Sequence, residues 1–160
     1  MKAKILNKNS VLKLNIGQLK YTQTGFICIS PEKGADIKHD LEKYPYPIKD
    51  NTATVIKAVH VLERINPLNN GTIKWMDEMW RMLKYDGQLV LSVYYAGSTA
   101  FWSDPTYVNG CTHQTWFFFD PNHISRLYYE YKPKPWTIGA SYANPDGLME
   151  IILTKNHEEK

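Results

Sequence analysis

Two short stretches near the start of the chain decide the fold: Leu12–Gly17, with the sequence LKLNIG, and Phe26–Ile29, with the sequence FICI. The first alternates apolar and polar residues and ends on glycine, whereas the second is apolar throughout, so both predict β-strands. Only the segment Gly17–Gly25 separates them. Parallel strands are usually joined by about a dozen residues or more, so the first connection is too short to contain a full helix.

Strands and connections continue to alternate through the first hundred residues. Thr54–Val59 is rich in β-branched residues and predicts a strand, and Gln88–Val93 predicts another. Between them, Thr72–Lys84 predicts the clearest helix, because apolar side chains recur three and four residues apart at Ile73, Met76, Trp80 and Leu83. This order predicts an α/β fold with a mostly parallel sheet and a reduced number of helices.

The remaining segments are shorter and end in a hairpin. Residues 31–53 predict a loop with at most a short turn, and residues 61–65 a brief helix. Pro121–Glu130 predicts a short helix with Ile124, Leu127 and Tyr128 on one side. The strands Trp136–Tyr142 and Leu148–Leu153 are joined by the sequence NPDG, which favours a tight turn, so the sheet is expected to end in an antiparallel hairpin.

Composition limits the class of protein. The 160 residues are 43% hydrophobic and 22% charged, which predicts one domain spanning residues 1–160. A net charge of +3 is too small for a nucleic-acid footprint, and no apolar run is long enough to span a membrane. Met1–Ser10 lacks the apolar core of a signal peptide. Cys28 and Cys111 belong to no CxxC pair, which favours a reduced compartment and a cytoplasmic location.

The aromatic residues are concentrated in one part of the chain, since 13 of the 21 lie between Tyr94 and Trp136. The run Trp116–Phe119 is too apolar for an exposed loop and is expected in the core. A second group directly follows the predicted strand Gln88–Val93. We expect this group to form the wall or lid of an acceptor pocket, with Tyr94, Tyr95, Phe101, Trp102 and Tyr107 as its members.

Several segments resemble one family when they are taken in order. They are residues 13–17, 25–27, 39–47 and 50–51, then 60–63 (HVLE), 80–84 with Gly87, and 104–106 (DPT). This series is similar to the class I S-adenosylmethionine (SAM)-dependent methyltransferases, specifically their short single-domain members. The resemblance implies a Rossmann-like fold, SAM as cofactor and methyl transfer to an acceptor whose identity it leaves open.

The resemblance also implies roles for individual residues. Asn15, Gly17 and Gln18 would approach the methionine part of SAM, Ser30 its ribose, and Asp40 with Leu41 its adenine. His60 and Asp104 would act at the acceptor as catalytic residues, and Tyr94, Tyr95, Trp102 and Tyr107 would bind it. Alternatives based on local structure stay open for three of them. His60 could bond backbone at a strand end, Asp40 could cap the turn at residues 41–43, and Asp104 could serve turn geometry alone.

The chain departs from the family pattern at the cofactor. Leu19 stands where the family has its second glycine, and Ser30 where it has the acidic residue that accepts the ribose hydroxyls. Loss of a charged acceptor typically costs about 1.5–3 kcal/mol, or roughly 10- to 150-fold in affinity. These departures favour an alternative, a catalytically inactive methyltransferase-like binding or structural protein. His113 and His123 have no spaced Cys or His partners, so no metal is assigned. An exposed sheet edge leaves a homodimer open.

Overall fold

The computed structural model describes residues 11–156, which form a seven-stranded sheet with strand order β3-β2-β1-β4-β5-β7-β6. The prediction for Met1–Ser10 lies outside the described residues. The strands are β1 Leu12–Gly17, β2 Ile27–Ser30, β3 Ile37–Lys38, β4 Ala53–Val59, β5 Leu83–Tyr94, β6 Trp136–Ala143 and β7 Leu148–Lys155. The α-helices in this part of the chain are α1 Gly71–Met82, α2 Thr99–Ser103 and α3 Tyr128–Tyr131.

The sheet is parallel except at its last two strands. β1 pairs in parallel with β2 and β4, β2 with β3, and β4 with β5. β7 is antiparallel to both β5 and β6, so it inserts between them and closes the predicted hairpin. The first connection contains only a 3₁₀ turn at Leu19–Tyr21. The predicted Rossmann-like α/β fold, with a C-terminal antiparallel hairpin and few helices, is confirmed.

Helix α1 covers the sheet with a wide apolar face. Trp75, Met76, Met79 and Met82 are fully buried, and Trp80 nearly so. The predicted stripe therefore captured Met76 and Trp80 but missed Trp75 and Met79. The helix ends two residues earlier than predicted, because the chain turns to extended backbone at residue 83 and enters β5 without a loop.

The helix predicted over Pro121–Glu130 was wrong for most of its length. Only Tyr128–Tyr131 is helical, and Arg126 has a φ of +55°, which interrupts any continuous helix before it. The side chain of Ile124 is 93% exposed, so it belongs to no buried face. Residues 31–53 hold the short strand Ile37–Lys38, which sequence patterning missed because two residues present no periodicity.

The aromatic run at residues 116–119 lies in a 3₁₀ segment, His113–Phe119. Trp116 and Phe119 are buried, as predicted, while Phe117 and Phe118 are half-buried. Phe117 stacks on His123 with ring centroids 3.7 Å apart. The 3₁₀ geometry distributes the four rings around the segment, so only part of the run reaches the core.

Cys28 and Cys111 are both buried free thiols. Across residues 11–156, no helix has the length and apolar character that crossing a membrane requires.

Candidate functional site

A cavity of about 340 Å³ opens at the carboxyl ends of β1, β2 and β4. This is where open α/β sheets bind ligands, and its volume lies in the usual range for small molecules, about 300–1,000 Å³. Six residues predicted from the sequence line it: Gly17, Gln18, Ser30, Asp40, Leu41 and His60. Six others were not predicted: Pro31, Glu32, Glu42, Val61, Arg64 and Ile65.

Gly17 forms the turn at one wall of the cavity. Its φ is +104°, and a Cβ placed there would lie 2.3 Å from Cγ2 of Val61. Only glycine satisfies both the backbone conformation and the close approach. Leu19, two residues later, does not line the cavity. Its Cδ1 instead lies near the loop at Gly34, 3.9 Å from where a Cβ on that glycine would be. The isobutyl group therefore does not fill the space where a cofactor would enter.

The buried side chain of Asn15 holds the same turn through hydrogen bonds. It is only 2% exposed and is not among the cavity-lining residues. Its side-chain amide donates to the Gln18 carbonyl at 3.3 Å and to the Thr22 hydroxyl at 3.0 Å. In this structure the side chain that was predicted to approach the cofactor fixes the shape of the loop that lines the cavity.

A carboxylate that sequence analysis overlooked lies just beyond the end of β2. The Ser30 hydroxyl accepts a hydrogen bond from the Glu32 backbone N–H at 3.2 Å, and Glu32 Oε2 accepts one from the Leu19 backbone N–H at 3.2 Å. Glu32 thus links the ends of β1 and β2 at the cavity. The sequence Ser30-Pro31-Glu32 could have indicated this carboxylate, because it places an acidic residue two positions after the predicted ribose contact.

Asp40 takes part in a local turn and also lines the cavity. Its Oδ1 accepts from the Glu42 backbone N–H at 3.1 Å, and its Oδ2 lies 3.5 Å from the exposed Lys43 ammonium. Glu42 in turn accepts from the Asn66 backbone N–H at 2.7 Å. The capping geometry considered as an alternative is therefore present, and the residue still faces the cavity.

His60 follows β4 in a left-handed conformation, with a φ of +52°. Its Nδ1 lies 3.1 Å from Oε1 of Glu63, a carboxylate with no exposed surface. The ring stacks on Tyr94 with centroids 4.5 Å apart and meets Tyr21 edge-on at 6.0 Å. The imidazole therefore bonds a side-chain carboxylate, whereas the alternative considered from the sequence was a bond to backbone.

Glu63 ends the segment HVLE, and the sequence predicted no role for it. Its Oε1 also accepts from the Tyr94 backbone N–H at 2.8 Å, whereas Oε2 is buried with no hydrogen-bond partner among the described residues. Glutamate is rarely fully buried without a partner for its charge. The signal in the sequence was its position between Leu62 and Ile65, both apolar and both buried here.

The predicted aromatic wall divides into two groups. Tyr94 contacts His60, and Tyr107 lies 6.0 Å from Tyr94, with the Arg64 guanidinium 5.0 Å above its ring. Burial raises the pKa of the Tyr107 hydroxyl, and the Glu63 charge adds to this. None of the four predicted acceptor residues, Tyr94, Tyr95, Trp102 and Tyr107, lines the cavity. Tyr94 and Tyr107 contact two residues that do, His60 and Arg64. Tyr95 packs toward His113, and Trp102 is 74% exposed with its indole N–H bonded to the Ala96 carbonyl.

Asp104 lies outside the cavity lining and bonds within its own loop. Its Oδ1 accepts from both the side-chain hydroxyl and the backbone N–H of Thr106, and its Oδ2 pairs with Arg64 at 2.8 Å. The Thr106 hydrogen bonds lower the pKa of the Asp104 carboxyl, and Arg64 contributes to the same effect. An ionised carboxylate with these partners anchors the loop to Arg64, which itself lines the cavity.

Within the described residues, no group of three or more His, Cys, Asp or Glu side chains is placed to hold a metal ion.

Several solved structures with a similar fold are methyltransferases. The N-methyltransferase NodS from Bradyrhizobium japonicum, in complex with S-adenosylhomocysteine, is 14% identical, with a TM-score of 0.59 over 92% of this chain and 79% of its own. A SAM-dependent methyltransferase from Mesorhizobium loti is 8% identical, with a TM-score of 0.58 over 91% of each chain. A 16S rRNA (adenine(1408)-N(1))-methyltransferase mutant from Catenulisporales acidiphilia, solved with SAM, is 12% identical, with a TM-score of 0.58 over 94% of this chain and 88% of its own.

These likenesses define the fold as that of the class I SAM-dependent methyltransferases. No protein-family model and no curated protein matches the sequence.

Proposed function

We propose that this protein is a SAM-dependent methyltransferase that acts on a small acceptor. The observation that carries the proposal is the cavity at the carboxyl ends of β1, β2 and β4, which gathers Gly17, Ser30, Asp40 and His60 from separate parts of the chain. Ligands bind at this edge in open α/β folds. The structural neighbours include chains solved with SAM or S-adenosylhomocysteine, which supports the choice of cofactor.

The charges around the cavity suit a cationic ligand that also bears hydroxyl groups. Three carboxylates line it, those of Glu32, Asp40 and Glu42, against the single guanidinium of Arg64. That guanidinium is already paired with Asp104. A sulfonium ion with a ribose matches this balance, because carboxylates attract the cation and accept hydrogen bonds from hydroxyls.

The residues of this chain divide into three tasks around SAM. The turn at Gly17–Gln18, held by Asn15, would receive the methionine part. Ser30 and the neighbouring Glu32 would supply acceptors for the ribose, so the acid missing at position 30 has a substitute two residues on. Asp40 and Leu41 would contact the adenine. SAM itself supplies a methyl group on a positively charged sulfur, so the protein contributes mainly orientation and exclusion of water.

A second function is favoured by one contact. The Glu32 carboxylate already accepts the Leu19 backbone N–H. That bond uses part of the acceptor capacity of the carboxylate. If the remainder is too small to hold the ribose, the chain acts as a methyltransferase-like binding protein without turnover. The two functions differ in whether SAM is converted to S-adenosylhomocysteine in the presence of small-molecule acceptors.

Isothermal titration with SAM tests the proposal. Asp40→Ala should weaken binding roughly 10- to 150-fold, since a hydrogen bond to a charged group is worth about 1.5–3 kcal/mol. Lys43→Ala is the matched control, because it removes the exposed partner of Asp40 and keeps the carboxylate in the cavity. Its affinity should equal that of the wild type. No heat and no thermal shift at millimolar SAM would reject the methyltransferase function, and equal affinity for Asp40→Ala would reject the adenine contact.

A further inference from the structure

The hydrogen bond between His60 and Glu63 selects one tautomer of the imidazole. An ionised carboxylate only accepts hydrogen bonds, so with Glu63 ionised the Nδ1 of His60, 3.1 Å from Oε1, carries the proton. In the neutral ring this leaves the lone pair on Nε2. No residue between 11 and 156 donates to Nε2, and the His60 side chain, 12% exposed, lines the cavity. The ring therefore holds an unprotonated nitrogen on a side chain that lines the cavity.

Both members of the pair are held rigidly. Glu63 Oε1 accepts from the Tyr94 backbone N–H, and the Glu63 carbonyl accepts from the N–H groups of Val108 and Asn109 at 2.8 and 3.0 Å. The face of the imidazole lies against the Tyr94 ring. A base must hold its lone pair in a fixed direction to act in proton transfer, and these contacts fix it.

The same pair is poorly explained by stability alone. Among residues 11–156, Glu63 Oε2 is buried without a hydrogen-bond partner, which typically costs about 1–3 kcal/mol. His60 adopts a left-handed φ of +52°, a conformation that costs a residue with a side chain about 1–3 kcal/mol. Strain and unsatisfied polar atoms that persist together beside a cavity indicate a functional arrangement.

We propose, on the basis of the methyl-transfer function above, that His60 is the general base of the reaction and that Glu63 is its positioning residue. The acceptor is then a small molecule whose nucleophilic oxygen or nitrogen still carries a proton. As its lone pair forms the new bond to the methyl carbon, the carbon–sulfur bond breaks and its electron pair stays on sulfur, giving S-adenosylhomocysteine. The acceptor proton passes to Nε2, and the Glu63 carboxylate stabilises the imidazolium until the proton leaves to water.

This assignment excludes a class of acceptors. Tertiary amines and thioethers have a free lone pair and no proton to lose, so they need no base and would not use the pair. Phenols, other hydroxyls and aromatic or primary amines do lose a proton. The His60–Glu63 pair therefore limits the proposed acceptors to molecules that lose a proton on methylation, a limit that the fold alone does not set.

Nitrogen NMR of the histidine rings tests the pair without requiring an acceptor. In ¹⁵N-labelled wild-type protein, His60 should show a protonated Nδ1 and an unprotonated Nε2. Glu63→Gln should keep this tautomer, since the Tyr94 N–H holds the amide oxygen where Oε1 was. Glu63→Leu should lose it. A wild-type ring protonated on Nε2, or an unchanged tautomer in Glu63→Leu, would overturn the assignment. Titration with S-adenosylhomocysteine on the same samples reports separately whether the cofactor binds.

Methyl transfer from labelled SAM tests the acceptor class. The proton-bearing probes are phenol, catechol and aniline, and the proton-free probes are pyridine and dimethyl sulfide. Only the first set should be methylated, and His60→Ala should lower kcat about 100- to 10,000-fold with little change in KM for SAM. The kcat of Glu63→Leu should be nearly as low as that of His60→Ala, and Glu63→Gln should have a kcat between those of Glu63→Leu and the wild type.

Three outcomes of this assay would contradict the proposal while leaving cofactor binding intact. They are equal rates for wild type and His60→Ala, product from the proton-free probes alone, and no product from any proton-bearing probe at saturating concentration. Failure of SAM or S-adenosylhomocysteine to bind at all would instead reject the methyltransferase function.

Discussion

Two buried glutamates at opposite ends of the parallel strands have very different surroundings. At the amino end, both oxygens of Glu78 are bonded: Oε1 to Arg81 Nη2 and the Tyr46 N–H, and Oε2 to Arg81 Nε. Arg81 also bonds the carbonyls of Ile48 and Tyr46. At the carboxyl end, Glu63 is buried just as deeply, yet one of its oxygens has no partner in the described part of the chain.

This difference separates an amino end whose contacts serve stability from a carboxyl end that holds the proposed ligand site. The amino-end network fastens loop 46–50 to helix α1 and satisfies its buried charges, which is what a structural site requires. It continues through Lys155, whose ammonium donates to Asn51 Oδ1 and the Leu83 carbonyl. The carboxyl end retains a left-handed histidine and an orphaned oxygen beside an open cavity. We therefore expect substitutions at the amino end to affect unfolding, and those at the carboxyl end to affect ligands.

Arg81→Met should have the largest effect on stability. It removes the partner of a buried carboxylate, and breaking such a pair typically costs about 3–5 kcal/mol. Urea unfolding measures this free energy directly. Lys74→Met on the exposed face of the same helix is the control and should change stability little. If Arg81→Met unfolds at the wild-type urea concentration, the amino-end network is not structural.

The same Glu→Gln change at the two ends should give different results. Glu78→Gln weakens hydrogen bonds to a charged partner and should cost about 1.5–3 kcal/mol. Glu63→Gln should cost less than about 1 kcal/mol, because Gln still accepts from His60 and Tyr94 and removes a buried, half-satisfied charge. Urea unfolding of both variants compares them. Equal losses of unfolding free energy in the two variants, or a larger loss in Glu63→Gln, would contradict the division into structural and functional ends.

The cavity turn can be tested with two glycines of similar φ. Ala at Gly17 would place its Cβ 2.3 Å from Val61, whereas at Gly25, with a φ of +85°, nothing lies within 4 Å. Both substitutions strain the backbone, but only Gly17→Ala also brings its Cβ into a clash with a neighbouring side chain. Gly17→Ala should therefore lower the free energy of unfolding by about 1–3 kcal/mol more than Gly25→Ala. Thermal or urea unfolding measures the difference. Equal costs would mean that the Gly17–Val61 contact is not tight.

The pKa of the Cys111 thiol responds to the negative charge of Glu63. Burial raises the pKa of the Cys111 thiol to about 12, and the Glu63 carboxylate contributes. Since the folded pKa lies above the unfolded value, this contribution to stability is complete below about pH 9 and is lost as the pH rises through about 12.

In Cys28→Ala protein, Cys111 should therefore resist a disulfide reagent at pH 8 until urea unfolds the chain. Glu63→Gln should increase its labelling at high pH, because the negative charge nearby is gone. Rapid labelling of the native protein at pH 8 would show that Cys111 is accessible.

The sequence predicted the fold well because β1, β2 and β4 carry clear strand patterns, alternating in β1, apolar in β2 and β-branched in β4. Of β5, Leu83–Tyr94, only residues 88–93 were predicted. The sequence also located six cavity residues, because the segments that resemble the methyltransferase family contain them. The role of Glu63 could not be derived this way, since only its tertiary contacts with His60 and the Tyr94 N–H show how its buried carboxylate is used. The helix predicted over 121–130 failed for a related reason: Arg126 adopts a left-handed φ that local patterning does not encode.

The most direct test of the account is an amide NMR titration of the ¹⁵N-labelled chain with SAM. We predict saturable shifts at Gly17, Ser30, Leu41 and His60, with the amino-end amides of Asn51 and Arg81 unchanged. No shifts at millimolar SAM, or shifts confined to the amino end, would contradict the claim that the carboxyl edge of this sheet is a SAM site.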